Sequence, residues 1–395
     1  MKKFSIIIPH YNQMKYIETV IKSVMIQDYK NIEVIIADDC SSQFDKNKVE
    51  DIIKKYNKNN FEYKIYSGKK NVGTVKNLNN ALKLTTGDFI TSIAADDKFF
   101  DKYVISNYVK EFEDEFKNVI TTQCLMYDDK LKKCICKYVD SKKCLKYNKK
   151  SSDFILEKMT EGCFYGSGGT AYRKTVFEKY GYFNEKYLYV EDWAYWLYIL
   201  EKGEKIYYAD FNTLCHRDGG ISHSEFTPET LPKHVRQYYK DILNIYVDEV
   251  LPYLDRFKVK ENYKILKQFE ETLLYYSSFA PELLSYQKDF DDARLSNKRL
   301  KYYFKFKTFM KIFDVNLIGK IKILLKYNRV VPITFVLWIL SCIIINSVFN
   351  INNLNKLLGV YIFSYVCIYY ITYILDKSFY YLNLIISRKK SEKNV

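Results

Sequence analysis

Two short apolar runs, residues 32–37 and 89–95, each lead into a pair of adjacent aspartates, Asp38 with Asp39 and Asp96 with Asp97. A run of this length that is apolar almost throughout, broken only by Glu33 in the first and by Thr91 and Ser92 in the second, reads as a strand covered on both faces. Covering both faces takes helices, which constrains the chain to an α/β arrangement. The surrounding sequence agrees. "FSIIIP" is strand-like, "KYIETVIKSVMIQ" sets Ile17, Val20, Ile21, Val24 and Met25 on one helical stripe, "FEYKIYS" is a further strand candidate and "TVKNLNNALKLTT" a further helix. Such alternation predicts a mostly parallel sheet in which ligands bind beyond the carboxyl ends of the strands. Both aspartate pairs fall at such ends.

The chain reads in three parts. Residues 1–229 carry the alternating pattern, residues 230–329 turn helical in segments such as "EETLLYYSSFAPELLSY", and residues 330–395 hold two uncharged runs, 330–349 and 357–375, with a basic tail. Each run is close to the roughly 20 residues that cross a bilayer as a helix. A C-terminal transmembrane hairpin is therefore expected, against the alternative of a hydrophobic hairpin inside a soluble domain. Lys322, Lys326 and Arg329 precede the pair, and Lys377, Arg388, Lys389 and Lys390 follow it. By the positive-inside rule the N-terminal domain then faces the cytoplasm at the cytoplasmic (inner) membrane.

A net charge of +15 suits a polyanion or an anionic membrane surface. The segment "KRLKYYFKFKTFMKIF" interleaves bases with aromatics. The uncharged runs that follow it favour a lipid interface over nucleic acid, so no nucleic-acid partner is expected. Nine cysteines without paired spacing predict reduced thiols rather than a disulfide or zinc framework. "MKKFSIII" starts like a signal peptide, but Pro9 ends the apolar run, which reads as a strand.

Adjacent carboxylates at a strand end have a simple explanation as caps of the following helix. Two such pairs at two buried strand ends suggest more, because hard cations such as Mg²⁺ bind through one or two carboxylates plus substrate phosphates. No Gly-x-Gly-x-x-Gly follows the first strand and no Walker A sequence occurs, so a dinucleotide or P-loop enzyme finds no support. Glycines 166–169 in "GSGGT" allow an anion-binding nest or a plain turn. His10 reads as a tolerated loop residue, and His216, in "CHRDGGIS", as either a structural histidine or a phosphate or metal contact.

The ordered blocks "SIIIPHYNQMKYIETVIKSVMIQDYKNIEVIIADDCSS", "NVGTVKNLNNALKLTTGDFITSIAADD" and "GSGGTAYRKTVFEKYGYFNEKYLYVEDWAYWLYIL" resemble the glycosyltransferase family 2 enzymes over about the first 225 residues. The resemblance implies an A-type glycosyltransferase fold, a Rossmann-like nucleotide-sugar-binding domain with a mixed central sheet, followed by the helical region and the hairpin. It implies donor binding by Pro9, Tyr11, Asn12, Asp38, Asp39, Lys76 and Asp96, with Asp39 facing a uracil-like ring and Lys76 meeting phosphate. It implies a divalent cation, Mn²⁺ or Mg²⁺, on Asp97, with Asp96 and His216 as further candidate ligands, and Asp192 of "VEDW" as the base that activates an acceptor hydroxyl.

The implied activity is inverting sugar transfer from a nucleotide sugar, expected to be a UDP-sugar, to a lipid-linked or surface-polysaccharide precursor. Transfer to free polyprenyl phosphate and a non-catalytic nucleotide-sugar-binding scaffold are the alternatives. Ala94 stands where the family often has a further aspartate, and the Gln-x-x-Arg-Trp motif of processive synthases is absent. Both departures point to addition of one or a few sugars.

Overall fold

The strands form where apolar runs were expected. In the computed structural model, which describes residues 1–218 and 226–296, β1 (Phe4–His10) lies between two parallel neighbours, β2 (Ile32–Asp38) and β4 (Phe89–Ser92). Every residue of β2 is buried, as a strand packed on both faces requires. β3 (Glu62–Ser67) adds a parallel edge to β2 and is half exposed. The crossovers are helical: α1 (Ile17–Met25), α2 (Lys46–Tyr56) and α3 (Thr74–Leu82). In α1 the stripe Ile17, Val20, Ile21, Val24 and Met25 is buried against the sheet core built on Phe4, Ile6, Ile8, Val34 and Ile36. Burying side chains of this size contributes about 2 kcal/mol each.

The second half of the sheet turns antiparallel. β4 pairs with β8 (Thr170–Arg173), β8 with β6 (Val119–Tyr127), and β6 runs parallel to the long β9 (Ile206–Arg217). β5 (Lys98–Phe99) caps β9, and β7 (Cys134–Lys137) pairs with the far end of β6. The sheet is thus mixed, as the family resemblance implied and not mostly parallel as the alternation alone suggested, with the order β3-β2-β1-β4-β8-β6-β9-β5. The helices between are α4 (Val104–Glu111), α5 (Ser141–Tyr147), α6 (Ser152–Thr160), α7 (Lys174–Tyr180) and α8 (Asp192–Glu201).

β4 is shorter than expected, ending at Ser92 rather than at residue 95. The chain turns at once, with Ile93 N–H donating to Ile7 O and Asp97 N–H to Ala94 O, and enters β5. The second aspartate pair therefore sits in a turn between β4 and β5, not at the strand end itself. Within the glycine-rich stretch 166–169, Ser167–Gly169 form a 3-10 turn into β8. A Cβ on Gly169 would meet Cys124 Sγ and Thr122 Oγ1 at 2.8 Å, so close packing on β6 accounts for that glycine.

From residue 230 the chain is helical: α9 (Lys233–Ile245), α10 (Val259–Ser277) and α11 (Gln287–Ser296). The helical segment "EETLLYYSSFAPELLSY" is interrupted: α10 ends at Ser277 and a short 3-10 turn starts at Pro281. Ala280 takes φ −137°, ψ 83°, because a residue before proline is pushed out of the helical region. These helices are fastened to the sheet domain. Asp241 of α9, fully buried, accepts from the backbone N–H groups of Leu188 and Tyr189, and Tyr187 Oη donates to Glu249.

Among the described residues no helix is long and apolar enough to cross a membrane. The expected hairpin, at 330–349 and 357–375, lies outside the described residues.

Candidate active site

The first centre forms where β1 and β2 end side by side. His10 and Asp38 are register partners, and His10 Nδ1 lies 2.8 Å from Asp38 Oδ1. Gln13 N–H donates to His10 Nε2, so Nε2 accepts and the ring proton sits on Nδ1, directed at Asp38. Ser41 binds the same carboxylate through Oγ and through its N–H, and Ser41 Oγ also accepts from Asn12 N–H. Asn12, at φ +54°, accepts from Ser42 N–H. Burial drives His10 below the ordinary histidine value despite the hydrogen bond and charge of Asp38. The loop histidine of the sequence reading is therefore a buried clasp between two loops, and Asp38 faces into that clasp.

Asp39 turns the other way. Its two oxygens accept from Val72 N–H and Gly73 N–H, each at 2.9 Å. Gly73 has φ +88°, a conformation open to glycine and strained for other residues. Burial and the neighbouring Asp38 hold the Asp39 carboxyl above its ordinary value, against those two backbone donors. Asp39 lines a cleft of about 290 Å³ with Tyr66, Ser67, Lys69, Lys70 and Asn77. Asn77 donates to Ala37 O, while its buried Oδ1 has no partner. Pro9 lies in β1 and Tyr11 is half exposed beyond it. Lys76 is drawn aside, with Nζ 2.7 Å from Glu185 Oε2. Lys69 and Lys70 are the cations that line the cleft, and nothing local in the sequence distinguished them.

The second centre is at the turn after β4. Asp97, buried, is held between two groups of β9: His216 Nδ1 is 3.0 Å from its Oδ2, and Arg217 N–H donates to its Oδ1. Arg217 Nε donates to Asp96 O, and its guanidinium lies 4.2 Å from the Tyr16 ring centroid. Burial opposes the charging of His216, but the hydrogen bond and charge of Asp97, with Asp96, raise it above its ordinary value. Burial and the charge of Asp97 raise Asp96.

Among the described residues no three His, Cys, Asp or Glu side chains converge as a metal-ligand group. One buried carboxylate with an imidazole, and a second carboxylate within charge range, still suit a hard cation that takes its remaining ligands from phosphates and water.

Asp192 opens α8 and is half-buried, with Trp193 N–H donating to its Oδ1. Burial and the Asp192 charge hold Glu191 well above the carboxylate range, which keeps it neutral near pH 7. Trp193, Trp196, Leu197 and Leu200 are buried and fix the helix in place. Tyr138, which follows β7, joins the centres: its ring lies 6.4 Å from that of His216, and it lies within electrostatic reach of Asp192. Tyr238 of α9 reaches both Tyr138 and Asp192 in the same sense. Neither tyrosine carried a sequence signal, since each comes from a region without a motif.

A family model described as Glycosyl transferase family 2 matches residues 5–181. The chain is 35% identical over 98 residues to the GalNAc(5)-diNAcBac-PP-undecaprenol beta-1,3-glucosyltransferase of Campylobacter jejuni, covering 25% of this chain and 31% of that protein. It is 31% identical over 123 residues to the poly(ribitol-phosphate) beta-N-acetylglucosaminyltransferase TarS of Staphylococcus aureus, covering 30% of this chain and 20% of that protein. The matches thus span less than a third of either relative's length. A solved structure, S. aureus TarS 1–349 in complex with UDP-GlcNAc, matches with a TM-score of 0.45 and 19% identity over 74% of this chain and 89% of that one. Through residues 5–181 the chain carries a glycosyltransferase domain of family 2.

Proposed function

We propose that the chain is an inverting, metal-dependent glycosyltransferase. It moves a sugar from a nucleotide donor, taken to be a UDP-sugar, to a lipid-linked or surface-polysaccharide precursor. The observation that carries this reading is the pairing of Asp97 with His216, joined through Tyr138 to the half-buried Asp192. The Asp39 cleft takes the nucleoside, Asp39 accepting from the base while Lys69 and Lys70 supply positive charge beside it. Asp192, the base, accepts the proton of the acceptor hydroxyl as that oxygen attacks the anomeric carbon. Burial and the charge of Asp192 push the Glu191 carboxyl up, so Glu191 adds little negative charge beside the base. Asp97, with Asp96 and His216, would hold a divalent cation, which would supply charge neutralisation for the nucleoside diphosphate leaving group. A single displacement inverts the anomeric configuration.

The printed activities of two relatives, on an undecaprenyl-diphosphate glycan and on a poly(ribitol-phosphate), support the acceptor class. The uncharged runs 330–349 and 357–375 supply the reason for placing the enzyme at the cytoplasmic face of the membrane. The test is turnover: the full chain with Mn²⁺ or Mg²⁺, membrane lipids and a panel of nucleotide sugars should release nucleoside diphosphate, and Asp192→Asn should lower that rate by about 10²-fold or more. Absence of turnover with every donor would end the enzyme reading.

A further inference from the structure

The segment from Lys130 to Lys150 holds nine lysines and a single carboxylate, Asp140. All nine are exposed, and among the described residues none takes part in an ion pair. Elsewhere on the domain some lysines are paired, as Lys55 is with Glu18 at 2.8 Å and Lys186 with Asp248 at 2.7 Å, and others are not; what sets this segment apart is the number of lysines in so short a stretch. The density is informative: Asp128, beside Lys130 and Lys132, and Asp140 are the carboxylates at hand, and nine cations against so few acids leave a strongly positive surface that attracts an anion.

Backbone structure holds the charges in place. Lys137 lies in β7, paired with Leu125 of β6. Lys142, Lys143 and Lys146 lie in α5, whose start is capped by the Asp140 side chain accepting from Lys143 N–H. Gln123 ties the connection down from inside, exchanging hydrogen bonds with the backbone of Val139. Lys143 lies over the rings of Tyr147 and Phe164, and Lys150 over that of Phe154, which positions their ammonium groups without neutralising them.

The location is what gives the patch a role. Met126 of β6 is register partner to Cys136 on one side and to His216 on the other. The basic strand therefore stands one strand away from the Asp97–His216 centre. Tyr138, next after Lys137, is the residue whose ring meets His216 and whose surroundings include Asp192.

We propose that this lysine surface binds the acceptor, and that the acceptor is a polyanion carrying repeated phosphate groups along its length. This rests on the transferase reading above and names the substrate class of the same site. Repetition follows from number: Lys137 in β7, Lys142, Lys143 and Lys146 in α5 and the five lysines around them are more cations than the charge of one diphosphate can engage. A bilayer is the competing anionic partner. The adjacency to His216 and Asp192 favours a substrate, since a surface flat against lipid would close the site on that side.

The test uses the full chain in neutral detergent with three probes: linear polyphosphate, inorganic pyrophosphate and vesicles of phosphatidylglycerol. The variant replaces Lys132, Lys133, Lys137 and Lys142 by Gln. A control variant makes the same change at the exposed Lys54, Lys58, Lys179 and Lys202. Thermal melting establishes that both are folded. The expected result is a loss of about 100-fold or more in polyphosphate affinity in the first variant only, with a shallower salt dependence, since each lysine removed releases fewer counterions. Pyrophosphate binding and vesicle association should stay within about threefold of the unsubstituted chain.

Equal loss in both variants, or in neither, overturns the proposal. Loss of vesicle association to the same degree as loss of polyphosphate also overturns it, because the surface then faces a bilayer. If pyrophosphate binding falls as far as polyphosphate binding, the repeated-phosphate claim fails. Nucleoside diphosphate release by the unsubstituted chain is measured separately, so failure of the transferase reading shows there and failure of the acceptor assignment shows in the binding series.

Discussion

The clasp between β1 and β2 offers the sharpest quantitative test. In His10→Ala the ring is lost from a site where Nδ1–H meets a buried carboxylate at 2.8 Å and Nε2 accepts from Gln13 N–H. A hydrogen bond to a charged group contributes about 1.5–3 kcal/mol and a neutral one about 1 kcal/mol. The ring also packs 5.2 Å from that of Phe44, centroid to centroid, so a void adds to the loss. The expected destabilisation is about 3–4 kcal/mol, which for a domain of this size lowers Tm by roughly 6–16 °C.

The pH dependence carries the mechanism. Burial lowers the folded-state pKa of His10 below its ordinary 6.5, so the unfolded chain binds the proton more readily. Stability from this residue is complete above about pH 6.5 and declines as pH falls toward the depressed value. The gap between the wild-type protein and His10→Ala, measured by urea unfolding, should therefore narrow between about pH 7.5 and pH 5.5. His10→Asn, which keeps a donor and an acceptor, should recover part of the loss. A gap below about 1 kcal/mol at pH 7.5, or one that stays constant over that range, would refute a neutral, doubly bonded His10.

Three further outcomes are expected. Gly73→Ala should destabilise by about 1–2 kcal/mol and weaken UDP binding, because a Cβ at φ +88° is strained and would lie 3.4 Å from Leu188 O; calorimetric titration with UDP reads the second effect. Glu191→Gln, which copies the neutral acid, should retain activity near pH 7 within about threefold. It should also lose any alkaline limb that arises from ionising Glu191 beside Asp192, as a pH–rate profile would show. Asp241→Asn should cost about 1–3 kcal/mol and loosen the loop before Asp192, since Leu188 and Tyr189 N–H donate to one carboxylate oxygen and Gln237 Nε2 to the other, so the new amide NH₂ must face a donor on one side; hydrogen exchange at Leu188 and Tyr189 gives the measurement.

Local pattern determined a good deal of this protein. The buried strands β1 and β2, the stripe of α1 and the place of the first aspartate pair at the end of β2 follow from periodicities of a few residues, which a linear sequence displays directly, whereas the turn that holds the second pair does not. Asp97 and His216, singled out separately, do meet, and Asp192 does open a helix. What no local pattern carries is the partner brought from far along the chain. Lys76 looked free until Glu185, 109 residues away, was placed beside it. His10 looked incidental until the parallel register of β1 and β2 set it against Asp38. The sheet's change from parallel to antiparallel, the lysines of the Asp39 cleft, and Tyr138 and Tyr238 near Asp192 arise in the same way. Each depends on the register and crossing of elements distant in sequence, and the side chains alone leave that geometry undetermined until the core packs.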